Sequence, residues 1–342
     1  MTTTELKAKL KSESLAGAYL FAGEEDYLKR YYLDQLATAA CPDEFFAPFN
    51  RIIFDGADVE IEQIREALIA PPMMADLKVV EWRYPDIEHM TEKQRAALAE
   101  LADNIGDYPY AVLILFVDIE GLDPGTARRP SRLAQKLGKS YNLVNFEKST
   151  DQQLIAWLKK HFDAEGIATS ADVLSALIFR SGHAMQVLKH EVEKLCAYLK
   201  ANSIGTLTQE AVSLVASSTL ECDAFALSTA ITDKNKAGAY LALSDMKMRR
   251  IQPGAVLATL LRSFSELVTV ALLLGEGMSA EQIEKNLGWN AYKIKISIRS
   301  AGKWGAARLT EAVARLRVLD GDSKSGGAAG YQMLEMFVCQ FI

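Results

Sequence analysis

YAVLILFVD, Tyr110 to Asp118, sets seven apolar residues in an unbroken row from Ala111 to Val117. A strand with one wet face alternates apolar and polar residues. An unbroken row asks for cover on both faces, as for a central strand of a parallel sheet between helices. The flanking sequence agrees. AGAYLFAG (16–23) is a short apolar run ending in Gly, followed by the helical pattern EEDYLKRYYLDQLATAA. FNRIIFDG reads as a second strand, and DVEIEQIREALIA as an amphipathic helix with Val59, Ile61, Ile64 and Leu68 on one side. LKVVEW is a third strand, and TEKQRAALAELADNI a helix with Thr91 as its cap. SRLAQKLGK reads as a short helix and YNLVNFE as a last strand. Strands alternating with helices predict an α/β domain over 1–147 built on a parallel, doubly wound sheet.

Beyond Glu147 the strand signals stop. STDQQLIAWLKKHFDAEG begins at a Ser149 or Thr150 cap and ends at Gly166. The helical patterns that follow make a small helical domain, 148–213. From CDAFALSTAITDK onward the chain is again all helical, five or six longer helices punctuated by IQPG, GEGM and SKSGG, and forms a bundle over 214–342.

Composition narrows the function classes. With 49% hydrophobic and 24% charged residues, the chain is an ordinary globular protein, and its length favours more than one domain. A net charge of −6 argues against a protein that coats nucleic acid, without excluding a local basic face. The four cysteines, Cys41, Cys196, Cys222 and Cys339, form no CxxC pair, so neither a disulfide scaffold nor a zinc ribbon is expected. The N-terminus MTTTELKAKLKSES lacks an apolar h-region, and the run LVTVALLLG is too short for a bilayer. A reduced, cytoplasmic protein without membrane contact is the expectation.

Chemistry-bearing motifs are scarce. The first strand, a Gly and a helix share the geometry of a phosphate-binding loop, but the connection is AGEED. Gly23 is followed by Glu24, Glu25 and Asp26 rather than by the Lys and Ser/Thr that hold phosphates and magnesium. Those carboxylates repel a triphosphate and suit a helix N-terminus. Asp118 stands where a magnesium-binding acid would end its strand, but without a phosphate loop it reads as a turn residue. His89, His161, His183 and His190 are dispersed and lack metal spacing. No catalytic residues, cofactor or metal are expected. From residue 216 onward there are 15 Lys/Arg against 12 Asp/Glu, about +3, which leaves about −9 for the preceding part. Lys295, Arg299 and Lys303 lie at i, i+4, i+8, one helical stripe that fits either a phosphate backbone or a solvated face.

IAPPMMADLKVVEW (69–82) is the other informative stretch. Pro71 and Pro72 end the preceding helix. Met73 and Met74 then occupy a corner where Asn, Asp or Ser is usual. They are either gap-fillers under their own domain or apolar surface kept for a partner.

Four stretches together resemble the delta subunits of the bacterial DNA polymerase III clamp loader, and they occur in that family's order. They are AYLFAGEEDYLKRYYLDQL, PMMADLKVVEW, HAMQVLKHEVEKLCAYL, and LDGDSKSGG followed by MLEMFVCQF. The resemblance implies a RecA-like, AAA+-type domain without a phosphate loop, a helical lid and an all-α collar that joins a ring of loader subunits. It implies a non-catalytic subunit of the polymerase holoenzyme. Such a subunit binds the sliding clamp (the beta subunit) and holds one clamp interface open for loading onto primed DNA. The implied partners are the clamp, the gamma/tau and delta prime subunits through the collar, and primer-template DNA. Carried over residue by residue, the clamp-binding element is Met73 and Met74, with Pro72 setting the helix exit and Leu68 on the preceding turn. The family often has an aromatic or Leu at the paired positions, so two methionines are a departure. Two alternatives belong to other classes: an active AAA+ ATPase acting on nucleic acid, which the missing GK[ST] after Gly23 opposes, and a helical DNA-binding adaptor led by Lys295, Arg299 and Lys303.

Overall fold

A computed structural model of the chain describes residues 1–11, 15–325 and 330–342. The chain forms two compact units, Met1–Ser149 and Thr150–Ile342. The first boundary falls within two residues of the expected one, whereas the expected division at 213/214 lies inside the second unit.

In the first unit, β1 (Gly17–Ala22), β2 (Arg51–Asp55), β3 (Lys78–Arg83) and β4 (Ala111–Phe116) precede β5 (Gly125–Thr126), β6 (Arg129–Pro130) and β7 (Asn142–Asn145). Five of them make one parallel sheet in the order β2-β3-β4-β1-β7, and β5 and β6 form a separate two-stranded ladder. Every residue of β4 is buried, and it lies between β3 and β1, as its unbroken apolar run requires. Helices α1 (Thr3–Lys9), α2 (Asp26–Ala40), α3 (Ala47–Asn50), α4 (Ile61–Ile69), α5 (Glu92–Asp103) and α6 (Arg132–Leu137) complete the unit. Two cores pack with the sheet, one holding Ile64, Leu68, Trp82 and Leu98, the other Tyr19, Phe21, Leu36 and Phe146. The α5 cap is Thr91, paired reciprocally with Gln94. A carboxylate inside the sheet, Glu81, is fully buried and is satisfied by Arg51 at 2.5 Å and Arg83 at 2.6 Å. The sequence reading had no element at α1, which is fixed by a Thr2–Glu5 capping box.

The described part of the second unit is helical: α7 (Asp151–Ala164), α8 (Ala171–Ser181), α9 (Met185–Ala201), α10 (Gln209–Val215), α11 (Leu220–Thr232), α12 (Lys236–Met248), α13 (Pro253–Gly275), α14 (Ala280–Leu287), α15 (Ala291–Lys324) and α16 (Tyr331–Phe341). Thr150 caps α7, Pro253 opens α13, and Gly288 closes α14 in the left-handed conformation at φ 63°. Gly305, at φ 71° and ψ 167°, breaks α15 into two helical stretches. The bundle core gathers around Phe264, whose ring meets Phe337 edge-on at 5.6 Å and Trp304 at 6.0 Å. A polar knot ties α7, α8 and the start of α15. Asn290 donates to Asp151 at 2.6 Å and accepts from the Ser175 hydroxyl at 3.0 Å, while His183 holds Asp151 at 2.7 Å. The knot joins residues on both sides of the expected 213/214 division. Gly326 and Gly327 of the SKSGG stretch lie outside the described residues.

The expectation that no segment is long enough for a bilayer does not hold for α13. At 23 residues it is long and apolar enough by length and composition, because the helix begins well before the run that was measured. Its apolar side, Val256, Leu257, Leu260, Phe264, Leu267 and Val270, is buried in the bundle core.

Candidate functional site

The corner after α4 is held by residues distant in the chain. Leu68 is the last residue of α4 to face inward, at 1% exposure, and Ile69 beyond it is half exposed. Ala70 leaves helical geometry at φ −67° and ψ 124°, as a residue before proline must. The Tyr110 hydroxyl donates to the Ile69 carbonyl at 2.7 Å, and the Lys78 ammonium donates to the Ala70 carbonyl at 3.1 Å. Lys78 is itself buried, and burial lowers its pKa.

Asn50 fixes the next two residues. Its Oδ1 accepts the Met73 N–H at 2.7 Å, and its Nδ2 donates to the Met73 carbonyl at 2.8 Å. The same Nδ2 reaches the Phe46 carbonyl at 3.2 Å, and Asn50 is 1% exposed. Its amide therefore serves Met73 as a neighbouring strand would, using both a donor and an acceptor. Met74 follows at φ 51°, a left-handed conformation that costs a non-glycine residue about 1–3 kcal/mol. The side chains of Met73 and Met74 are 51% and 79% exposed, and Pro72 is half-buried. A gap-filling methionine would be buried; these two stand on a pinned, locally strained backbone and face solvent.

Leu68 departs from its expected place. It packs with Ile64 and Trp82 in the core, so a partner cannot reach it without opening α4. Ile69 takes its place on the outer surface. Sequence reasoning missed Asn50, Lys78 and Tyr110, whose contacts bridge 23, 8 and 41 positions. It also passed over Phe45 and Phe49, both exposed, although DEFFAPFN places three aromatic residues in a polar, proline-containing stretch.

The turn after β1 lies at the carboxyl edge of the sheet, beside the β1/β4 pair where ligands of such sheets bind. Gly23 has φ 112°, and a Cβ there would stand 2.5 Å from the Phe146 carbonyl oxygen. Glu25 is nearly buried, and its carboxylate accepts the Tyr27 and Ser149 backbone N–H groups. Burial raises its pKa against those bonds. Glu24 pairs with Lys148 at 2.5 Å. Lys29, the first cation of α2, is fully buried. It donates to the Val117 carbonyl at 2.9 Å and pairs with Asp26 at 2.8 Å. The donors and the cation that a phosphate would need are thus engaged by the chain's own carboxylates and carbonyl. Asp118 accepts the Gly121 N–H at 2.7 Å and closes a turn.

The basic stripe is paired with acids of its own unit. Arg299 and Lys303 both pair with Asp233, at 3.3 and 2.7 Å, and Lys295 lies 3.7 Å from Asp172. The i, i+4, i+8 spacing is present on the helix, but acids from α8 and the end of α11 share its charge. The four histidines each have a local partner: Asp86, the Trp157 carbonyl, Asp151 and Glu193.

Comparison with known proteins gives a consistent result over both units. The family model described as DNA polymerase III, delta subunit matches residues 19–147, and that described as DNA polymerase III delta subunit, C-terminal domain matches 221–341. The chain is 21% identical to the DNA polymerase III subunit delta of Bacillus subtilis (strain 168) over 339 residues, covering 97% of this chain and 95% of that one. The structure of the Bacillus subtilis DNA clamp loader delta protein superposes with a TM-score of 0.57 at 19% identity, covering 99% of this chain and 98% of the other. A Thermotoga maritima RuvB structure matches at a TM-score of 0.40 and 10% identity, over 87% of this chain and 84% of that one.

Proposed function

Because the chain belongs to the DNA polymerase III delta subunit family, a clamp-loader component, we propose that it is the loader's grip on the sliding clamp. Met73 and Met74 enter an apolar pocket on the clamp, and the contact holds one clamp interface open while the ring passes onto primed DNA. A grip of this kind binds the open ring more tightly than the closed one, since a ligand shifts an equilibrium only by its differential affinity. The observation that carries the reading is the pair of exposed methionines on a backbone pinned at Ile69, Ala70 and Met73. Burying each side chain contributes about 1.5–3 kcal/mol. Pinning the backbone beforehand removes much of the ordering cost. Unbranched methionine adapts to another protein's pocket.

The reading assigns the remaining surfaces as follows. The second unit joins the gamma/tau and delta prime subunits, and Leu241, Met248 and Met336 on α12 and α16, each more than 60% exposed, are its apolar candidates for that contact. Primer-template DNA passes through the assembled loader. With Arg299 and Lys303 paired to Asp233, the stripe is not assigned to DNA.

Titration of the full chain against the sliding clamp of its own organism tests the reading. Saturable binding of micromolar affinity or better is the expected outcome, and no detectable complex would overturn it. A fluorescent ATP analogue is expected not to bind the isolated chain, because Glu25 and Lys29 are engaged as described. Micromolar affinity for the analogue would restore the ATPase alternative.

A further inference from the structure

Six of the eight exposed large hydrophobic side chains described in the first unit lie on two segments: Phe45, Phe49 and Ile53 on one, Ile69, Met73 and Met74 on the other. Asn50 joins the segments, since its one amide bonds to Phe46 and to Met73. The aromatic segment is fixed as firmly as the methionine corner. Asp43 Oδ1 accepts the Phe45 N–H at 2.9 Å and the Phe46 N–H at 3.3 Å, and α3 follows at once. Phe45, 76% exposed, stacks edge-on against Phe46 at 5.0 Å. A cavity of about 570 Å³ is lined by Pro42, Phe46 and Ala47, by Met74 and Leu77, and by Leu10 and Lys11 from the N-terminal segment. Asp43, Glu44 and Asp76 are exposed around this surface.

We propose that Phe45 and Phe49 form a second anchor of the surface that Met73 and Met74 offer to the clamp, facing an apolar area of the clamp bordered by lysine or arginine. The inference rests on the clamp-gripping reading and extends it to residues outside the α4 corner. Area is the first argument. A specific interface buries about 800 Å² on each partner. Two methionines, one of them half covered already, present only part of that. Aromatic side chains bury about 150–250 Å² each and dominate interface energetics. Geometry is the second argument: one buried amide sets the spacing of both segments, so a rigid partner meets them together. Charge is the third. The exposed Asp43, Glu44 and Asp76 outnumber Lys11, the exposed cation lining the same cavity, so the rim is net negative, which an interface complements with cations on the other side.

The test measures clamp affinity for three full-length proteins: the unaltered chain, Phe45→Ala/Phe49→Ala and Met73→Ala/Met74→Ala, with thermal unfolding as the control for folding. The aromatic variant is expected to bind at least about tenfold more weakly, with its unfolding midpoint unchanged. Loss in both variants supports a shared surface. Loss in the methionine variant alone overturns this inference and leaves the clamp-gripping reading standing. Loss in the aromatic variant alone overturns the shared surface and moves the docking site to the 43–49 turn. Loss in neither overturns this inference and removes both segments from the grip, whereas absence of any complex with the unaltered chain would overturn the clamp-gripping reading. Should the aromatic variant fail to fold, a photo-crosslinker introduced at position 45 as Phe45→p-benzoylphenylalanine decides the matter. Crosslinks to the clamp support the inference, and their absence in a complex that still forms overturns it.

Discussion

Replacing Met73 and Met74 together by alanine is expected to weaken sliding-clamp binding by roughly 30- to 1000-fold while leaving the protein folded. Truncating two methionines that become buried in a partner's pocket removes about 2–4 kcal/mol after allowing for partial compensation. Neither side chain is a core residue of its own domain, because Met74 is 79% and Met73 51% exposed in the free chain. Surface changes away from caps and cores alter stability by within about 0.5 kcal/mol. Alanine at position 74 keeps the same left-handed backbone penalty, so no stabilisation from relieved strain confuses the result. The single variants carry further information. If the pair enters one pocket, the losses from Met73→Ala and Met74→Ala will not sum to the loss from the double variant. Equilibrium binding by calorimetry reads all three. An affinity equal to that of the unaltered chain would remove the methionines from the grip.

The two kinds of signal in this sequence differ in reach. The sheet was legible because its information is local: the unbroken run Ala111–Val117 is β4, and Thr91 and Thr150 cap the helices that follow them. Other features depend on neighbours that no short stretch contains. Leu68 and Ile69 are consecutive apolar residues, and periodicity cannot say which one the sheet covers at the last turn of a helix. Lys295, Arg299 and Lys303 repeat at helical spacing whether or not Asp172 and Asp233 approach from other helices. Gly305 looks like a tolerated helix glycine in KWGAARL until its φ of 71° shows the break. The methionine corner stands between these cases. Its composition marked it as unusual, but the feature that fixes its backbone, the Asn50 amide, comes from 23 positions upstream.

That dependence makes Asn50→Ala the more searching experiment. The alanine variant is expected to lose about 2–3 kcal/mol of stability, because the Met73 N–H, the Met73 carbonyl and the Phe46 carbonyl lose a buried partner at once. Clamp affinity is expected to fall by roughly tenfold, although Asn50 is 1% exposed and cannot touch a partner. The fall reflects the cost of ordering a corner that was previously fixed, about 0.5–1.5 kcal/mol for each immobilised side chain. Asn50→Asp separates geometry from mere loss of volume. The carboxylate keeps the shape and can still accept the Met73 N–H, but it turns a second oxygen toward two carbonyls. Protonation restores a donor there, so the folded-state pKa of this carboxyl lies above its unfolded value of about 3.9. The stabilising hydrogen bond is then fully present below that unfolded value and is lost as pH rises through the folded-state value. Denaturant titrations of Asn50→Asp at pH 4.5 and pH 8 would therefore show a larger deficit against the unaltered chain at the higher pH, and Asn50→Ala would show no such trend. A stable Asn50→Ala protein with undiminished clamp affinity would mean that the partner, not Asn50, orders the corner.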